Sequence, residues 1–268
     1  MRDSLQLYLR YLGVSVRSQM QYRGSFILLS IAHLFATGID FVGLWVLFHR
    51  FGSIGGWSLA EVALLYGMVS SAFAFADATT RGFDMFGETM IRTGDFDRIL
   101  LRPRSAALQI AGQELTLRRI GRLSQSLPVL LWASWSLGVV WSPAKVALVV
   151  ATILGGACLF NGLFVLRGTL AFWTVESLEI MNTVTYGGVE ASEYPLVIYP
   201  AWFRRFFTFV VPLACISYFP ALGILDRASS SGIPFFLPWV APLAGLAFLC
   251  LSLQVWKLGV RHYQSTGS

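Results

Sequence analysis

The stretch VALVVATILGGACLFNGLFVL, Val146 to Leu166, runs for 21 residues without an Asp, Glu, Lys or Arg. A helix rises about 1.5 Å per residue and a bilayer core is about 30 Å thick, so roughly 20 apolar residues cross it. Three further charge-free runs reach that length: Leu123 to Ala144 (22 residues), Phe206 to Leu225 (20) and Ala228 to Trp256 (29). Two more candidate spans carry acids inside them. The first, about Ser25 to Phe48, contains Asp40; the second, about Leu59 to Thr80, contains Asp77, with Glu61 at its lip. Barrel strands would show short alternating segments of about 10 residues instead. The expected fold is therefore an all-α integral membrane domain of about six spans over residues 1–268.

Composition agrees. The chain is 56% hydrophobic and only 13% charged, whereas soluble domains are about 25% charged, which excludes a disordered, nucleic-acid-coating or ordinary cytosolic protein. With the N-terminus inside, 17 of the 20 basic residues fall on the inner side, and only Arg50, Lys145 and Arg227 fall outside. This is the positive-inside distribution. It predicts both termini in the cytoplasm and explains the net charge of +6 without a nucleic-acid partner; attraction to anionic lipid headgroups adds to it. Trp45, Trp57, Trp132, Trp135, Trp141 and Trp239 fall near outer ends, and Trp173, Trp202 and Trp256 near inner ends, where amphipathic rings favour the headgroup level.

Residues 1–24 mix leucines and valines with Arg10, Arg17 and Arg23, which suits an interfacial elbow helix. They lack the compact apolar core and cleavage site of a signal peptide. Between the second and third spans, residues 81–122 hold eight Arg and five acids. At their centre lies Gly94-Asp95-Phe96-Asp97-Arg98-Ile99-Leu100-Leu101-Arg102-Pro103. Gly94 can end one helix, Asp95 can cap the next, Arg98 and Arg102 complement its last turn, and Pro103 limits continuation. The product is a short amphipathic helix with Phe96, Ile99 and Leu100 able to enter a partner's groove; composition alone equally allows a solvated connector.

A second segment, about residues 175–205, carries Glu176, Glu179, Glu190 and Glu193, and reads as a cytoplasmic or interfacial surface or as an extension of the fourth span. Pro212, Pro220, Pro234, Pro238 and Pro242 predict broken or re-entrant helices on the outer side. Asp40 lies deep within the first span and Asp77 nearer the inner face, at a depth Arg167 can also reach, so an Asp77–Arg167 pair is expected to be possible. These three are candidate pathway residues. Gly67, Ser71, Ala74 and Ala78 give the second span a small-residue face for a dimer or bundle seam.

Motifs for chemistry are missing. There is no GxxxxGK[ST] loop and no GxSxG pattern; His33, His49 and His262 have no metal spacing, and Cys158, Cys215 and Cys250 are dispersed in apolar runs. A membrane chain with no evident catalyst but a helix suited to docking reads as a transport subunit driven from outside.

The order and spacing of these motifs resemble the ABC-2-type permeases. The resemblance runs from the basic elbow through Gly94-Asp95-Phe96-Asp97 and Leu100-Leu101-Arg102-Pro103, Phe172-Trp173 with Glu176, Tyr194-Pro195, Tyr199-Pro200 and Phe219-Pro220-Ala221 to the tail Gly259-Val260-Arg261-His262-Tyr263-Gln264. It implies a multi-pass bacterial inner-membrane permease that is not itself an enzyme. It also implies a homodimer or heterodimer of permeases and a separate cytosolic ATPase carrying ATP and Mg. Residues 94–103 would then be the coupling helix, with Phe96, Ile99 and Leu100 as apolar and Asp95, Asp97, Arg98 and Arg102 as polar contacts to the ATPase. The aromatic and aliphatic spans suit an amphipathic, lipid-linked or drug- or peptide-like substrate. The alternative is a stand-alone secondary transporter using Asp40, or an assembly factor, although no internal repeat supports a secondary transporter.

Overall fold

The computed structural model describes residues 23–112, 120–174, 178–228 and 232–264, with Gly13, Arg17 and Gln21. The elbow expected at residues 1–24 lies, for all but five positions, outside the described residues, as do Glu176 and the last four residues. The described chain is helical. Its elements are α1 (Arg23–Phe51), α2 (Leu59–Thr79), α3 (Arg81–Asp84), α4 (Phe96–Leu100), α5 (Ala106–Ala111), α6 (Ile120–Ser136), α7 (Pro143–Leu170), α8 (Leu178–Ser192), α9 (Ala201–Arg205), α10 (Tyr218–Ile224), α11 (Leu237–Val240) and α12 (Leu243–His262). Three of them, α2, α7 and α12, are long and apolar enough to cross a membrane.

Local chemistry sets the boundaries. Gly55 and Gly56, at φ 58° and 80°, make the two-residue turn between α1 and α2, closed by reciprocal 3.0 Å backbone bonds between Ile54 and Trp57. Ser58 and Glu61 then form a capping box at the start of α2: the Ser58 N–H donates to Glu61 Oε2 at 2.8 Å, and the Glu61 N–H donates to Ser58 Oγ at 3.4 Å. Helix α7 opens with Ser142 accepting from the Lys145 N–H at 3.2 Å and with Pro143 in its first turn.

The centre of the bundle is α7, flanked by α2 and α12, with α6 on the far side of α2 and α1 against α6. Glycines permit these crossings, as expected where close backbone packing holds helices together in lipid. A Cβ on Gly245 would lie 1.9 Å from the Gly155 carbonyl oxygen, and one on Gly67 would lie 2.9 Å from the Leu130 Cα. Ser71 meets Ser126 at 2.9 Å on the same face. Gly67 and Ser71 therefore face α6 of the same chain; Ala74 is buried and Ala78 half-buried.

The segment at residues 175–205, expected as a cytoplasmic or interfacial surface or as an extension of the fourth span, packs along the bundle with Thr185, Val189, Ser192 and Glu193 buried and most of its other described residues half-buried or exposed. Helix α8 places Asn182, one turn in, beside Arg167 near the end of α7 and climbs until Glu193, just past its last residue, meets Ser70 midway along α2. Its continuation brings Val197 and Ile198 against Gly55 at the opposite end. Conversely, the apolar run Phe206–Leu225, read as a span, does not pass straight through. The α9 segment and the segment ending in α10 meet at 73° around Val211-Pro212. Both outer ends of this pair lie at the same end of the bundle: Ile198 precedes it beside Gly55, and after it Arg227 pairs with Glu61 at 2.5 Å and Asp226 with Lys145 at 2.6 Å. Proline at 212 has no N–H to continue the helix, which is why the bend falls there. The break expected from the prolines is present in this pair.

Candidate functional site

Two places in the bundle gather the predicted residues. The first is the end carrying α4. Gly94, at φ 76°, ends the preceding turn as expected, but Asp95 makes no capping bond to α4. Its carboxylate instead accepts from Thr93 Oγ1 at 3.0 Å and pairs with Arg98 at 3.4 Å. Phe96 and Ile99, expected to project toward a partner, turn inward and are buried. Phe96 stands 5.0 Å from Phe86, 5.5 Å from Phe172 and 4.9 Å from Tyr263, ring centre to ring centre, with Trp256 closing the box. The physical reason is area: this short helix's largest apolar side chain finds four rings within its own chain, and edge-to-face contacts add to the burial. Burial also pushes the Tyr263 hydroxyl pKa up, and the neighbouring Asp97 carboxylate acts in the same direction.

The outward face of α4 is therefore different from the expected one. Leu101 is 85% exposed and Leu100 42%, with Asp95, Arg98 and Arg102 around them also exposed and Asp97 half-buried. Leu101, one residue past α4, is thus the most exposed apolar side chain of the motif. Gln109, buried, donates from Nε2 to the carbonyls of Ile99 and Arg104 at 3.5 and 3.3 Å, tying the loop after α4 to α5.

Above this box lies a charged network. Arg167, expected near Asp77, donates from Nη1 to Asp84 Oδ1 and, at 2.6 Å, to Asn182 Oδ1. Arg81 pairs with Asp84 at 2.7 Å and with Asp77 at 3.3 Å, and donates to the Tyr186 hydroxyl at 3.0 Å. Asp84, a loop acid by sequence, is thus the shared carboxylate linking both arginines. Asp77, Asp84 and Arg167 are all buried, and the pairing of two cations with two carboxylates is what permits this.

The second place is a cavity of about 230 Å³ between α1, α2, α6 and α8. Asp40 lines it from α1, facing Tyr66, Arg122, Glu190 and Glu193. Glu193 is buried and accepts from Ser70 Oγ at 2.5 Å. Sequence reading did not bring Glu190 and Glu193 to Asp40, because the polar α8 carries no apolar run of spanning length. Among the described residues, no three His, Cys, Asp or Glu side chains converge as a metal site requires.

Residues 34–267 match the protein family described as "ABC-2 family transporter protein". The chain belongs to the ABC-2 transporter family. Searches of curated proteins and of solved structures returned no match. The family match covers every residue of the α4 box, the charged network and the cavity, so all three belong to the ABC-2 membrane domain itself. Members of this family are membrane components rather than catalysts.

Proposed function

We propose that this chain is the permease subunit of an ATP-driven exporter in the bacterial inner membrane, working as a dimer of permeases with a separate cytosolic ATPase that binds ATP and Mg. The carrying observation is the α4 box. A short helix rooted by Phe96 in rings from α7's exit and from the end of α12 would pass a push on its outer face directly to two long helices. In this reading Leu100 and Leu101 supply the apolar contact to the ATPase, with Asp95, Arg98 and Arg102 around it, while Phe96 and Ile99 hold the joint. Both termini and α4 lie in the cytoplasm. The six crossings are α1, α2, α6, α7, α8 with its continuation to Ile198, and α12; the bent pair dips in from the outer side. The substrate is amphipathic, lipid-linked or peptide-like.

The test is co-purification of the tagged full-length chain with a nucleotide-hydrolysing subunit, followed by measurement of stimulated ATP hydrolysis. Leu101→Asp combined with Arg98→Glu is expected to lower retention and stimulation at least about tenfold, since exposed anchors carry docking energy, with an unchanged gel-filtration profile. Full stimulation by that variant would overturn the docking role of α4. The second reading, a stand-alone carrier using Asp40, rests on the position of that carboxylate in the cavity. Transport that persists without an ATPase but stops in Asp40→Asn would replace the first reading with it.

A further inference from the structure

We propose that the pocket between α4 and the turn preceding it is a socket for a side-chain pair of the ATPase: an apolar residue with a carboxylate beside it. This rests on the permease reading and names the partner's chemistry at a place that reading leaves open. On the outer face of α4 the leucines enter the ATPase; in the socket the ATPase enters the permease. The pocket encloses about 470 Å³, within the roughly 300–1,000 Å³ of ordinary ligand sites. One wall is α4. The other is Gly87–Ile91, a single wide turn closed by the Arg92 N–H donating to the Gly87 carbonyl at 3.1 Å; turns of this π type are rare and recur at functional sites. The floor is held in place from behind. Gly82 lies with its backbone on α5, where a Cβ would overlap the Ile110 carbonyl oxygen, and Met90 and Ile99 belong to the same buried core as Phe86 and Phe96.

Floor and rim differ in chemistry, and the difference selects the occupant. Met85, Met90 and Ile99 make the floor apolar, and thioether side chains adapt to varied apolar shapes. On the rim stand Thr89, Asp95, Arg98 and Arg102, all exposed. Asp95 is the one carboxylate of the lining. Its 3.4 Å pair with Arg98 is open to water, the two side chains being 53% and 80% exposed, so the pair contributes little and exchanges readily. Arg102, four residues on from Arg98, forms no salt bridge among the described residues. The rim therefore carries a surplus cation above an apolar floor. A carboxylate complements that rim, and a guanidinium can hold it through two parallel N–H donors; an adjoining Leu, Met or Phe fills the floor. A free phosphate or a lipid headgroup would satisfy the arginines and leave the floor empty. Because Arg102 follows Leu101 in the chain, the rim continues the exposed leucine face, and an ATPase seated on that face covers the pocket as well. A side chain in the socket touches both α4 and the turn that leads on from Asp84.

The test places the photo-crosslinking residue p-benzoylphenylalanine in the tagged full-length chain, in the cell that naturally makes it. Thr89→p-benzoylphenylalanine reports on the socket and Leu101→p-benzoylphenylalanine on the outer face of α4; both positions are exposed, so the bulky residue is accommodated. Adducts are mapped by mass spectrometry after irradiation. From position 89 the expected adduct lies on an acidic segment of a nucleotide-hydrolysing subunit. Arg102→Glu is then expected to lower retention of that subunit about tenfold, as for the loss of one charge-paired contact, and changing the mapped acid to Lys should restore it, a rescue that damaged packing would not give. Arg104→Glu, the same charge change at an exposed position outside the pocket, should retain the subunit as the parent does. An adduct from Leu101 with none from Thr89 would overturn the socket and leave docking at α4 standing, whereas an adduct from Thr89 alone supports the socket and removes Leu101 from the contact. Adducts at position 89 confined to lipid would make the pocket a headgroup site and overturn the proposal. Equal loss in Arg102→Glu and Arg104→Glu, or no rescue, would reduce the rim to general charge attraction and overturn it too. No subunit adduct from either position would overturn the socket together with the docking reading.

Discussion

Asp84 is the residue whose role the sequence hid most completely. Arg167 sits near the end of a long apolar helix, and its need for a carboxylate at that depth was legible. Which carboxylate was not: after Thr80 the chain does not leave the bundle but turns through α3, and this returns Asp84 to α7. Asp84 bridges two arginines while almost fully buried. Removing one member of such a set leaves a buried charge uncompensated, at a cost of about 3–5 kcal/mol. Asp84→Asn is therefore expected to lower the melting temperature of the purified chain sharply, as read by tryptophan fluorescence. Asp95→Asn removes an exposed pair with Arg98, worth only about 0–1 kcal/mol, and should melt close to the parent. Equal melting of the two variants would remove Asp84 from the centre of the network.

For single elements, amphipathicity was legible and its direction was not. The motif around α4 announced a short helix with one apolar side, and it forms. Phe96 and Ile99 face inward because Phe86, Phe172, Trp256 and Tyr263, distant in sequence, assemble beneath them; no local pattern encodes that meeting. Truncating Phe96 to Ala leaves a cavity in the box and should cost about 3–5 kcal/mol, whereas Leu101→Ala should be almost neutral in the same melt. The bent pair makes a parallel case. A 20-residue run without charge satisfies any hydropathy rule, and proline marks a break without saying whether the chain continues or returns. Helix α8, whose glutamates interrupt any apolar run, packs on α2 and brings the chain to the Gly55 end before the pair begins. Cysteines placed singly at Tyr199 and Asp226 are expected to react with a membrane-impermeant maleimide from one and the same side; labelling from opposite sides would make the pair a span.

Across the whole molecule, the class was legible from charge alone: about 13% charged residues, collected at a few levels, can only be a membrane bundle. How the helices sit against one another depends on close approaches at glycine that composition does not rank. The nearest of these is the crossing of α7 and α12, where a side-chain carbon on Gly245 would overlap the Gly155 carbonyl. Gly245→Val is expected to yield no monodisperse protein in detergent, while Gly187→Ala, where a Cβ meets nothing within 4 Å, should purify normally. That crossing lies close to one end of α12. Eleven residues separate Gly245 from Trp256 in the aromatic box, about 16 Å at 1.5 Å per residue, against about 3 Å from Gly245 back to the helix start at Leu243. The glycine contact is in effect a fulcrum set near one end of a beam. A rigid α12 turning on it exchanges a broad sweep at Trp256 for a short stroke, with an arm ratio of roughly five. On the short side of this fulcrum the chain leads back to Pro238, which bears on Gly223 in the bent pair.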